Sequence, residues 1–232
     1  MLGVKILLSR LLSGSLDFTN AVIYILSTVL VVFLTLPVHE FAHGFVAVKL
    51  GDNTPKWQNR LTLNPLAHID YLGSLCILLF GFGWAKPVGV NARNFDNPKM
   101  GMAIVAFAGP LSNIVMSILA LLLGNVFLLL SATVAEVFGY IYFILFYLAQ
   151  INVSLAVFNL LPIPPLDGSR LLFAFLPDKY YFKVMQYERF IFFGLMILLY
   201  VGVLDGPISI LSNGLMNFVS NIAYLPFKLL GY

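Results

Sequence analysis

The chain has 232 residues, of which 60% are hydrophobic and only 10% charged. A soluble domain carries about a quarter charged residues, so an ordinary water-soluble globule is excluded and an integral, multi-pass membrane protein is expected. The net charge of +3 is too small to argue for nucleic acid, and a lone cysteine, Cys76, excludes both a disulfide framework and a cysteine-rich zinc site.

Residues 1–16, MLGVKILLSRLLSGSL, carry Lys5 and Arg10 within an apolar stretch and lack a convincing small-residue cleavage site. They read as an interfacial helix with its charges towards headgroups. An almost unbroken apolar run follows from Ala21 to Leu50, about 45 Å long as a continuous helix, where about 20 residues suffice to cross a bilayer core. Inside it lies HEFAH, residues 39–43. On a helix His39 and His43 face one way, about 40° apart around the axis, and can reach one ion while Glu40 stays free to act as a base. This is the HExxH arrangement of zinc peptidases. Ionisable groups in hydrocarbon are costly, and three together there point to function rather than to structure.

Residues 51–70 are polar, and Leu72 to Trp84 is apolar but too brief for an ordinary crossing. The stretch GWAKPVGVNARNF (83–95) has the glycine, proline and alternation of turns and short strands, so a re-entrant or β-hairpin element is expected there. Further crossings are expected at Met100 to about Leu130, Val137 to Leu161, Phe190 to Leu204 and Ile208 to Phe227. The fold class is thus an all-α membrane bundle of about five or six transmembrane segments in a single domain, 1–232. Its catalytic core lies at 21–175, with additional helices at 186–232. Lys49, Lys56, Arg60, Lys86, Arg93 and Lys99 fall in one connection, and Arg170, Lys179, Lys183 and Arg189 in another. The loops near 131–136 and 205–207 carry no lysine or arginine, which places both motif-bearing connections on the cytoplasmic side.

Catalytic zinc keeps three protein ligands and an open position. Lys49 stands six residues after His43, where a metzincin would need its third histidine. Asp167, in NLLPIPPLDGSR (159–170), follows a crossing on the same side as the HEFAH helix end, after prolines that break the helix, with Gly168 permitting a tight turn. By spacing alone it is either a third ligand or the N-cap of the segment from Leu171. His68, within NPLAHID, reads as a solvated loop histidine, and Asn152 and Ser154 as cavity-lining groups or as ties between helices.

HEFAH in a first apolar segment together with NLLPIPPLDG much later resembles the site-2 protease family of intramembrane zinc metalloproteases. The resemblance extends to GDNTPKWQNRLTLNPLAHIDYLGS (51–74), GWAKPVGVNARNF and AGPLSN (108–113), as in the compact branch without a PDZ domain. It covers about residues 30–175. It implies Zn2+, one per chain, held by His39, His43 and Asp167, with water activated by Glu40 as nucleophile. It also implies Asn113 as substrate-binding or oxyanion support. Val88 and Val90, before Asn91, are the expected clamp that pairs with unwound substrate.

The implied partners are the lipid bilayer, a membrane-protein substrate with a transmembrane segment, and a regulatory membrane partner. The expected setting is the cell membrane of a prokaryote, with the active site near the cytoplasmic face. Two rivals use the same residues, a membrane metal-ion transporter and a non-catalytic membrane adaptor. Transport favours several exchangeable sites and internal repeats, and no second ligand cluster is evident.

Overall fold

The computed structural model describes residues 18–80, 84–177, 184 and 186–231. The expected interfacial helix at 1–16, with Lys5 and Arg10, lies outside these residues, as do Gly83, Lys179 and Lys183.

The first apolar run forms a continuous rod of 32 residues, Phe18–Lys49. It comprises α1 (Phe18–Leu30), a π-helical turn (Val31–Thr35) and α2 (Leu36–Lys49). The wide turn sits just before Pro37, which has no N–H for the carbonyl of Phe33 and whose ring would crowd it. A loosened turn there lets the rod continue instead of breaking. Beyond α2 come two single-turn helices, α3 (Thr54–Trp57) and α4 (Pro65–His68), then α5 (Tyr71–Phe80). At 10 residues α5 spans about 15 Å, so this apolar stretch falls short of a bilayer core.

α6 (Pro98–Thr133) begins where the Asn97 side chain accepts from the Met100 N–H, with Pro98 in the first turn, where a missing donor costs nothing. It pairs with α7 (Val137–Asn159) in a helical hairpin, and α8 (Asp167–Phe173) packs back against α6. The main core joins Val31 of the π turn, Ala120 and Leu121 of α6, Leu148, Ala149 and Val153 of α7, and Val219 and Ala223 further on. Small residues at this seam let backbones approach, as membrane helices require where water supplies no driving force. Outward-facing side chains such as Leu119, Leu123, Phe143 and Phe193 are exposed and apolar, as for a lipid-facing surface.

Two expectations are corrected. No strand forms among the described residues, and 84–91 is extended chain followed by a single 3-10 turn at Ala92–Asn94. The N–H groups of Lys86, Val88, Gly89 and Asn91 go to side chains and to a loop carbonyl instead of to a neighbouring strand. Among the described residues the C-terminal region does not give two helices that each qualify as a crossing; its bent pair counts as one span at most. α9 (Glu188–Val201) has 14 residues, about 21 Å, and meets α10 (Asp205–Leu229) at 83°. Gly202, at φ 82°, closes α9 in the left-handed conformation and turns the chain. Three described helices are long and apolar enough to cross a membrane, or four if the bent pair is one span, fewer than the five or six expected. The all-helical, polytopic membrane architecture stands.

Candidate metal centre

Lys49 ends α2, but the site lies two turns earlier, where His39 and His43 share a face as their spacing dictates. Both are buried, with ring centroids 4.6 Å apart. Their Nε2 atoms lie 3.0 Å from each other. Asp167 Oδ2 is 3.4 Å from His39 Nε2 and 3.3 Å from His43 Nε2. Tetrahedral bonds of about 2.0–2.1 Å separate neighbouring donors by about 3.3–3.4 Å, so this triangle has the size of one face of a zinc coordination sphere. Two imidazoles and a carboxylate are also a donor set that zinc accepts, and no thiol is needed.

The surroundings fix the donors. His43 Nδ1 donates to the Val105 carbonyl at 2.7 Å, which leaves the Nε2 lone pair turned towards Asp167. Asp167 is the first residue of α8, while Leu166 takes the capping position and Asp167 makes no cap bond. Asp167 is therefore not the cap, and its carboxylate points at the histidines.

Gly168 serves differently from the expected tight turn. A Cβ there would run into the carbonyl groups of Leu160 and Leu161, so glycine is what lets α8 sit against the end of α7. Gly109, in the middle of α6, has the same role at the histidines: a Cβ would overlap His43 Nε2 and His39 Cε1. The sequence reading missed Gly109, although the AGP of 108–110 was a signal that backbone comes close to something there.

Glu40 is buried beside the pair, and its Oε2 accepts the Val88 N–H at 2.9 Å. Val88 is buried against Gly44, and Val90 packs with Ala47, Phe95 and Val105, so both side chains face the protein. Asn113 lies one turn beyond Gly109 on α6, fully buried, with neither its amide nitrogen nor its oxygen bonded. Asn152 ties helices, donating to Thr35 Oγ1 at 3.0 Å. His68 is not solvated but buried, with Nε2 donating to the Thr62 carbonyl at 2.8 Å, and Asp70 accepts the Gly73 N–H at the start of α5. Burial follows because the 51–70 loop folds over α2 rather than into solvent. Asp52, also missed, is buried with four hydrogen bonds, and the Asp-Asn-Thr sequence after Gly51 was its signal.

Comparison with known proteins gives the same direction. The model of Peptidase family M50 matches residues 27–201. The chain is 39% identical over 177 residues to "Putative zinc metalloprotease YwhC" of Bacillus subtilis (strain 168), covering 73% of this chain and 78% of that protein. It is 34% identical over 140 residues to "Putative zinc metalloprotease Rip2" of Mycolicibacterium smegmatis, covering 58% of this chain and 51% of Rip2. It is 30% identical over 160 residues to "Zinc metalloprotease MJ0392" of Methanocaldococcus jannaschii, covering 69% of this chain but only 36% of that protein. No solved structure matches the chain.

Proposed function

We propose that this chain, which belongs to Peptidase family M50 and is a zinc metalloprotease, cleaves peptide bonds in or beside the transmembrane segments of other membrane proteins. The observation that carries this reading is the triangle of His39, His43 and Asp167, drawn from two helices and buried beside Glu40 in a membrane bundle.

His39, His43 and Asp167 would hold the ion. Zn2+ in such a site supplies a Lewis acid that polarises a carbonyl and lowers the pKa of water. Glu40 acts as general base and removes a proton from the attacking water. It then passes that proton to the departing amide nitrogen. The Val88 N–H holds one Glu40 oxygen and leaves the other for that transfer. Asn113 supports substrate or the developing oxyanion, a role suited to a buried amide whose donors and acceptor are all unspent. The backbone of 84–91, carrying Val88 and Val90, runs alongside the base as extended chain, and because the N–H groups of Lys86, Val88, Gly89 and Asn91 are engaged within the protein, it would meet unwound substrate through its carbonyl groups.

The working face is cytoplasmic, in the cell membrane of a prokaryote. The end of α2, the 51–97 segment and the start of α6 carry Lys49, Lys56, Arg60, Lys86, Arg93 and Lys99 at one end of the bundle, while the α6–α7 turn at the other has no lysine or arginine. The similar proteins are bacterial and archaeal. A regulatory membrane partner fits a protease whose substrates are themselves membrane proteins. Transport would need further exchangeable sites, and among the described residues one three-ligand group is found.

The test is zinc per chain and cleavage in detergent-purified wild type, Glu40→Gln and Asp167→Ala. Near one zinc in the first two, with cleavage falling about 10²- to 10⁴-fold in Glu40→Gln, and loss of zinc in Asp167→Ala, is the expected pattern. Zinc-free wild type, or zinc indifferent to Asp167, would overturn the reading.

A further inference from the structure

The Val88 N–H that holds Glu40 belongs to an extended segment with no strand beside it among the described residues, so something else must keep that segment in place. Three donors along it are engaged. Lys86 N–H reaches the His68 carbonyl at 2.8 Å, Gly89 N–H reaches Gln58 Oε1 at 3.2 Å on the surface, and Asn91 N–H reaches Asp52 Oδ2 at 2.8 Å. Only the last is charge-assisted and therefore strong.

Asp52 takes no part in the chemistry above, yet it is completely buried. Its Oδ1 accepts from Asn94 Nδ2 at 2.7 Å and from the N–H and hydroxyl of Thr54 at 3.0 and 2.5 Å. Its own N–H donates to the Ala47 carbonyl at 2.9 Å, across the turn that Gly51 makes at φ 105°. Asp52 is thus fixed to the end of the helix that bears Glu40, and its carboxylate grips the chain three residues from Val88. A closed ring results: Glu40, α2, Ala47, Asp52, Asn91, Val88 and back to Glu40.

We infer that Asp52 is a positioning residue for Glu40, holding the 84–94 segment so that the Val88 N–H fixes the base. The inference rests on the proteolytic reading for its catalytic consequence, while the anchoring itself is independent of it.

The test compares wild type, Asp52→Ala, Val88→Pro and the double variant, reconstituted in liposomes with a lysine-flanked single-span peptide as substrate. Asp52→Ala should keep near one zinc per chain, lose about 10- to 100-fold in kcat, and hold KM within about twofold. Amide exchange over 86–94 should speed up by about tenfold, with α6 unchanged. In the Val88→Pro background, where the N–H is already gone, Asp52→Ala should add less than about twofold. Asp52→Asn, which keeps the shape and one acceptor oxygen, should show the same pattern at smaller size if the alanine variant does not fold. Unchanged exchange, an equal loss of kcat in both backgrounds, or a change in KM alone would overturn the inference. Wild type that cleaves nothing would overturn the proteolytic reading, and the exchange result alone would then decide the anchor.

Discussion

The ring of His43 is held by the carbonyl of Val105, a bond of 2.7 Å between the first membrane rod and α6. One turn further along α6, Gly109 faces both imidazoles. α6 therefore orients one of the two proposed histidine ligands through its backbone and makes room for both by lacking a side chain at a single position.

Gly109→Ala should disable the centre without unfolding the bundle. Its methyl group would overlap His43 Nε2, one of the three donor atoms. Metal analysis is expected to show zinc per chain well below one and cleavage reduced at least about tenfold, with helical circular dichroism retained. Full zinc occupancy would mean the histidines can move aside.

Gly168→Ala should act through α8. The new methyl group would meet the Leu160 and Leu161 carbonyl groups, so α8 must shift and carry Asp167 with it. Overpacking of this kind costs about 1–3 kcal/mol. A lower melting temperature and weaker zinc retention against a chelator are expected together. A fall in one alone would separate packing from ligation.

Asn113 and Asn152 should behave oppositely. Asn152→Val removes an interhelical bond to Thr35 and should cost about 0.6–1 kcal/mol while leaving zinc and cleavage unchanged. Asn113→Leu replaces an amide with no partner, so stability should hold or rise while cleavage drops. Lost stability without lost cleavage in Asn113→Leu would assign it a structural role.

Acid should reveal the Asp52 anchor. Burial alone would raise its carboxyl, but the bonds from Thr54, Asn91 and Asn94 outweigh burial and hold it below its ordinary value of 3.8. A carboxyl depressed by folding stabilises fully above its unfolded pKa and loses that contribution as pH falls through its folded value. The melting-temperature gap between wild type and Asp52→Asn should stay constant from pH 7 to about 4 and narrow below that. A gap that is flat to pH 2 would show that the carboxylate charge is not what matters.

The parts legible in the sequence are those set by local rules. HEFAH needed only the helical repeat to bring His39, Glu40 and His43 together, and hydropathy alone marked the long rods. Asp167 was half-legible: prolines before it and Gly168 after it indicated a break, but whether it capped or turned inward depended on where α8 docks. The π turn, the Val88–Glu40 bond and the burial of His68 depend on residues meeting from distant segments, which no local pattern encodes. The strands expected at 83–95 failed for a related reason. Alternation signals extended chain, and this segment is extended, but its Val88, Gly89 and Asn91 donors are taken by Glu40 and by side chains of the preceding loop. At the C-terminus, apolar length suggested two crossings, while Gly202 and the Asp-Gly-Pro at 205–207 produced a bend.

The third donor of the centre comes from α8, which lies far beyond the histidines and follows the whole α6–α7 hairpin. During insertion into the membrane, the HEFAH rod is present long before Asp167 has been made. Two imidazoles alone are a poor hold for zinc, and metal binding is coupled to completion of the fold. On the ligand set proposed above, a chain still being inserted would carry two of the three donors, and zinc would be secured only once α8 docks, so the order of synthesis would time the arrival of hydrolytic power.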